Sequence, residues 1–167
     1  GLVQQLVTLS RLDEEKGLEE KCEFNLSEAV SECVQPYESL AQTREKNLTL
    51  NIEEDITYTG DERSIRQLAG ILMDNAVKYS SENGNITLTL KKKGKKIFLE
   101  VYNDADDLPQ GKMDVLFERF YRLDSSRNSG TGGSGIGLSV AKAIVQAHKG
   151  KITAENKNGR GLTITVI

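Results

Sequence analysis

At 167 residues the chain has room for one domain of roughly 150 residues and little else. Its 22 Lys and Arg against 25 Asp and Glu leave a net charge of −3, which excludes a nucleic-acid binder working by bulk positive charge, so no nucleic-acid partner is expected. No apolar run reaches the roughly 18 residues of a membrane span, the N-terminus carries no signal-peptide pattern, and Cys22 and Cys33 suit neither a disulfide framework nor a metal site. Two reduced, packed cysteines in a cytoplasmic chain without direct membrane contact are the expectation.

In chain order, Leu2, Leu6 and Leu9 fall on one face of a helix over Leu2–Lys16, and Gly17 breaks it. Cys22–Leu26 reads as a short strand. Ser27 is the expected N-cap of a helix reaching about Lys46, with Pro36 kinking it. Asn47–Ile52 alternates polar and apolar residues as a half-buried strand does, and Ile56–Thr59 is a second short one. Asp61 caps a helix over Glu62–Tyr79. After the Asn83-Gly84 turn, Asn85–Lys91 and Lys96–Asn103 form a hairpin across a Lys/Gly turn. Asn103–Lys112 reads as loop and Met113–Phe120 as a short helix, and Asp124–Ser134 is rich in Ser, Gly and Asn. Gly135–Lys149 is an amphipathic helix ended by Gly150. Lys151–Asn156 and Leu162–Ile167 make a last hairpin across Asn158-Gly159. Mixed strands and helices of this order predict an α/β fold, a two-layer sandwich of a mixed, mostly antiparallel sheet packed on helices.

Three features carry chemistry. On the helix Glu62–Tyr79, Asn75 shares a face with Leu68, Ile71, Leu72 and Tyr79. A carboxamide there either bonds to nearby backbone or binds a metal or phosphate. Leaving it without a partner costs roughly 1–3 kcal/mol. Lys78 and Tyr79 can reach the same place, although Lys78 could also simply pair with Asp74. Second, Gly132-Gly133-Ser134-Gly135-Ile136-Gly137-Leu138 runs straight into a helix. Bare backbone N–H groups and a helix N-terminus together suit a phosphate chain, whereas a glycine stretch alone would be a flexible loop. Third, Arg119, Arg122 and Arg127 lie between those elements and suit a lid over an anion, or else a solvated charged face. His148, the only histidine, closes a helix and reads as structural.

The block Asp74-Asn75-Ala76-Val77-Lys78-Tyr79-Ser80 resembles the N box of sensor histidine kinases. Phe117–Arg127 is similar to their F box and ATP lid. Gly133–Leu138 is similar to their second glycine box, and Gly159-Arg160-Gly161 to the third. The boxes follow the family order over roughly residues 22–167, and Leu2–Asp13 resembles the tail of the family's dimerisation helix. The resemblance implies the Bergerat ATP-binding fold shared with gyrase and mismatch-repair ATPases. It divides the chain into a dimerisation-helix remnant, 1–16, and a catalytic domain, 17–167. It implies ATP and Mg²⁺ as cofactors. Asn75 would be the metal ligand; Lys78, Arg122 and Arg127 would meet phosphates; Tyr79 would lie near adenine or ribose; and the backbone of Gly133, Gly135, Gly137 and Leu138 would wrap the phosphate chain. Asn75, Lys78 and Arg122 would be the catalytic set. The implied partners are a dimerisation and phosphoacceptor domain of the same kinase and a response regulator, in a parent protein anchored to the membrane.

Two departures from the family pattern stand out. Where the family reads Asp-x-Gly-x-Gly, the sequence has Asn103-Asp104-Ala105-Asp106-Asp107. The adenine acceptor becomes Asn103, which can still accept a hydrogen bond but carries no charge. Weaker nucleotide binding follows, and a degenerate regulatory module is the alternative function. Ile71 stands one turn before Asn75, where kinases often have a second Asn and ATPases of this fold a water-activating Glu. An isoleucine cannot take a proton, so hydrolysis as the main reaction is disfavoured.

Overall fold

The computed structural model describes residues 21–106, 110–118, 136–156 and 159–167. The expected helix Leu2–Lys16 and the boundary after residue 16 lie outside them.

Strand β1 (Cys22–Asn25) pairs antiparallel with β3 (Thr57–Gly60) in a small separate sheet. Helix α1 (Leu26–Val34) starts directly after β1, and its cap is Asn25, not the expected Ser27. The Asn25 side chain accepts from Glu28 N at 3.0 Å. Asn25 has the extended backbone a cap needs, with φ −77° and ψ 101°. Ser27 is buried, and its hydroxyl is used at long range: it donates to Glu53 O and accepts from Ile56 N at 3.0 Å. Pro36 does more than kink the chain. It opens a separate helix, α2 (Pro36–Thr43), where its missing N–H costs nothing. That helix stops short of Lys46 because Glu45 turns left-handed, φ 56°. Cys22 is exposed and so is not packed as expected, while Cys33 is half-buried; both are free thiols.

After β2 (Asn47–Ile52), helix α3 (Glu62–Tyr79) has the expected Asp61 cap, which accepts from Arg63 N at 3.1 Å and Ser64 N at 3.4 Å. Strands β4 (Asn85–Lys93) and β5 (Lys96–Asp104) form the expected hairpin, with Gly94 at φ +60°. The segment expected as pure loop contains a two-residue strand, β6 (Gly111–Lys112), paired with β7 (Ile152–Asn156). A 3₁₀ turn at Asp114–Phe117 replaces the expected short helix. Helix α4 covers Gly137–Ala147, and the chain reverses through Lys149, φ 59°, rather than through Gly150. Gly150 serves close approach instead, since a Cβ there would stand 2.7 Å from Ile167 O. Strand β8 (Gly161–Val166) completes a six-stranded sheet of order β2-β4-β5-β8-β7-β6. Among the described strands only β2 and β4 are parallel neighbours.

The sheet is apolar on one face. Ile86, Leu88, Leu90, Leu99, Val101, Leu162 and Ile164 are buried there, forming one core with Leu68, Leu72, Val140 and Ile144 of the helices. The expected two-layer sandwich is therefore the observed one. His148 sets the helix directions. Its Nδ1 donates to Ile144 O at 2.8 Å, and its Nε2 accepts from Asp61 N at 3.1 Å. One nitrogen donates and the other accepts, as in a neutral imidazole. The C-terminus of α4 is thus tied to the N-cap of α3. The two helices pack against each other, with the last turn of α4 held at the first turn of α3.

Candidate nucleotide site

Helix α3 buries Leu68, Ile71, Leu72, Ala76 and Val77, and this stripe fixes where its remaining side chains stand. Asn75 comes out half-buried, and its carboxamide makes no hydrogen bond to any described residue. Of the two readings left open by the sequence, local backbone bonding is therefore not observed among the described residues. Lys78 and Tyr79 follow on the last turn, both half-buried. Asp74, the possible partner of Lys78, accepts instead from the Tyr37 hydroxyl at 2.6 Å. Burial, with the adjacent Asp74 carboxylate, holds the Tyr37 phenol well above its ordinary pKa, so it stays a donor.

Asn103 lies on the core face of β5, between Ile86 and Leu162 on the flanking strands, and is 2% exposed. Its Nδ2 donates to Asp104 O at 3.2 Å. Its Oδ1 receives no donor from the described residues. An unsatisfied buried acceptor costs about 1–3 kcal/mol, a cost that binding a ligand N–H would relieve. At the head of α4 the N-cap is Ile136, which offers no side-chain oxygen. The first intrahelical bond is Val140 N to Ile136 O, 3.0 Å, so the N–H groups of Gly137, Leu138 and Ser139 have no partner within the helix. Leu138 packs its side chain on the core, which leaves its backbone as the group for phosphate. Arg122, Arg127, Gly133 and Gly135 lie outside the described residues.

A clasp unforeseen in the sequence joins these elements. Lys46 Nζ donates to Ser80 O (3.0 Å) and Ser81 O (2.6 Å), covering the carbonyls that end α3. Ser81 N donates to Asp104 O at 2.8 Å, which brings the end of α3 against the end of β5. The Asp104 carboxylate accepts from Asn85 N (2.8 Å), Asn85 Nδ2 (3.0 Å) and the Tyr102 hydroxyl (2.5 Å). Partial burial opposes its charge, but these donors, with Arg160 nearby, outweigh it and hold the carboxyl below its ordinary pKa. The stability this supplies is present above the unfolded Asp value, about 3.9, and is lost as pH falls through the lower folded value. Asp104→Asn should therefore lower the urea midpoint at pH 7, and the gap to the parent should narrow as pH drops below about 4. A gap constant down to pH 3 would show that the carboxylate charge plays no part.

The joined ends of α3 and β5 therefore carry a half-buried carboxamide and a buried acceptor that no described residue pairs with, and α4 opens without a side-chain cap. Residues 60–167 match the family of histidine kinase-, DNA gyrase B- and HSP90-like ATPases. The chain belongs to this family. It is 40% identical over 153 residues to the sensor protein DltS of Streptococcus agalactiae, covering 92% of this chain and 38% of that protein. It is 34% identical to the sensor histidine kinase YkoH of Bacillus subtilis, over 99% of this chain and 35% of that one. The chain thus spans well under half the length of these relatives. Among solved structures, the nucleotide-free catalytic domain of the histidine kinase ThkA superposes with a TM-score of 0.73 at 26% identity, over 88% of this chain and 93% of that one. As a family member of this kind the chain is an ATP-binding catalytic domain. Among the described residues there is no cluster of three or more His, Cys, Asp or Glu to cage a metal, and no helix long and apolar enough to cross a membrane.

Proposed function

We propose that the chain, from about residue 17 onward, is the catalytic domain of a cytoplasmic region in a membrane-anchored sensor kinase. It passes the γ-phosphate of ATP to a histidine on a dimerisation domain, from which a response regulator then takes it. In this reading residues 1–16 are the tail of the dimerisation helix. The buried Oδ1 of Asn103 is the observation that carries the proposal, because an acceptor so placed suits the amino group of adenine. Asn75 has the donor oxygen and the exposure for a Mg²⁺ ligand, and Mg²⁺ when bound neutralises charge on the β- and γ-phosphates. Hard cations of this kind keep several waters and use few protein ligands, which suits a single carboxamide with no acidic cage among the described residues. The N–H groups of Gly137 and Leu138 hold phosphate oxygens at the positive end of α4. Lys78 adds charge beside them, and Tyr79 flanks the base or ribose. By resemblance, Arg122 and Arg127 close over the phosphates, and Gly133 and Gly135 lend backbone donors.

The position one turn before Asn75 on α3 holds no general base: Ile71 is 7% exposed and aliphatic, and the Asp74 carboxylate is taken by the Tyr37 hydroxyl. Transfer then rests on positioning and charge neutralisation, and the nucleophile must come from another domain. His148 does not serve, because both its nitrogens are engaged in the fold.

Calorimetric titration with ATP, with and without Mg²⁺, and labelled ATP supplied with a separate dimerisation domain test this reading. Mg²⁺-dependent binding and label on the added domain are expected. Label on His148 would overturn it. Asn103→Ala should weaken ATP about tenfold, the worth of one buried hydrogen bond, and leave inorganic triphosphate unchanged. Equal loss for both would remove Asn103 from the base. A second reading, a module that binds nucleotide without transferring phosphate, is favoured by the uncharged Asn103 and by Ala105 in place of a family glycine. Binding without transfer would select it.

A further inference from the structure

The opposite end of the sandwich holds a cleft of about 330 Å³ that the nucleotide reading does not use. It lies beyond the first half of α3 and the last turn of α4, where β4 and β5 turn. Along β5 its wall residue nearest Asn103 is Leu99, four residues and roughly 13 Å away at about 3.3 Å per residue, while Lys96 is seven residues and roughly 23 Å away. Its walls are apolar: Leu26, Val30 and Leu68 from the helical layer, Leu90 and Leu99 from the sheet, and Val145 from α4. The charged side chains in its lining are of one sign. Lys95, Lys96 and Lys149 line it, all exposed, and no Asp or Glu does among the described residues. None of the three has a carboxylate partner among the described residues. In a chain of net charge −3 this is a local reversal of sign. His148 also lines the cleft, but its two nitrogens are committed to Ile144 O and Asp61 N, so it offers a ring and no free hydrogen-bonding group.

We propose that this cleft binds a free single-chain carboxylate of medium length, its tail against the apolar walls and its head among Lys95, Lys96 and Lys149. A sugar, nucleotide or other polyhydroxylic ligand would strand its polar groups against these walls. An uncharged apolar ligand would leave the three ammonium groups unused. At about 30 Å³ per small group, the space a water takes in liquid, the volume admits roughly ten methylene-sized units. Anchoring by a few convergent charges over an apolar pocket of at least about 300 Å³ is the usual form of a small-molecule site.

The test is calorimetric titration with decanoate below its micelle concentration, beside decyltrimethylammonium and vesicles of anionic phospholipid. Saturable binding of decanoate to one site is expected, with the cationic analogue at least tenfold weaker. Lys95→Gln, Lys96→Gln and Lys149→Gln combined should weaken decanoate at least tenfold and leave ATP affinity unchanged, since all three stand at the far end from Asn103. Ile97→Trp, at a half-buried position on the cleft wall, should fill the space and abolish binding. Equal affinity for both amphiphiles, no effect of the lysine changes, or binding of vesicles without decanoate would each overturn the proposal. Should the tryptophan variant fail to fold, the lysine variant decides.

Discussion

Replacing Asn75 with alanine is expected to give a protein that melts no lower than the parent and yet no longer holds Mg·ATP. The carboxamide makes no hydrogen bond to a described residue and is half-buried on an otherwise well-packed helix. Removing it discards no hydrogen bond to a described residue, and alanine is the better helix former by up to about 0.7 kcal/mol. A side chain kept for binding rather than for folding behaves in this way. On the functional side the loss is the metal ligand. If metal coordination supplies about 3 kcal/mol of transition-state stabilisation, phosphoryl transfer should fall roughly 100-fold. Thermal melts and calorimetry on the same preparation read both quantities. A variant that melts well below the parent would show that Asn75 is a structural residue, and one that binds Mg·ATP normally would show that it is not the ligand.

The second large effect is expected at Gly161. A Cβ on this residue would stand 2.8 Å from the ring and hydroxyl of Tyr102 and would press against the carbonyl oxygen of Asn103. Neither neighbour is free to give way, because β5 is hydrogen-bonded on both sides and Tyr102 is held to Asp104. Gly161→Val must therefore part β8 from β5 where Asn103 sits. Overpacking of backbone against backbone costs about 3 kcal/mol or more, or roughly a 10 °C drop in melting temperature for a chain of this size. Nucleotide affinity should fall with it, since the displaced residue is Asn103. A melting temperature within about 2 °C of the parent, less than 1 kcal/mol, would mean that the strands adjust without cost.

Periodic features were legible in the sequence, and features set by distant neighbours were not. Asn75 could be placed on the inward face of its helix from the three-four spacing alone, and the Asp61 cap from its position before an apolar run. Ser27 has the side chain of a cap, while Asn25, the actual cap, fell inside the expected strand. What decides is that the Ser27 hydroxyl is claimed by Glu53 and Ile56, about thirty residues away. Asp104 was visible only as part of a degenerate glycine box, because its donors come from Tyr102 and from Asn85 at the head of another strand. Lys46 looked like the last residue of a helix, while its actual role is to cover the carbonyls after Tyr79. Gly150 was expected to reverse the chain by its conformational freedom, but Lys149 does so, and Gly150 is needed for the space its missing side chain leaves. Each of these depends on pairing across the sheet or between layers, which residue spacing does not encode.

The aliphatic residue one turn before Asn75 has a consequence for economy. With no carboxylate at that position to draw a proton from water, an idle domain under the proposed function keeps its triphosphate intact. Consumption then tracks arrivals of the acceptor imidazole and not the passage of time. The rate of signalling is set by how often two domains meet, and resting copies drain little of the cell's energy.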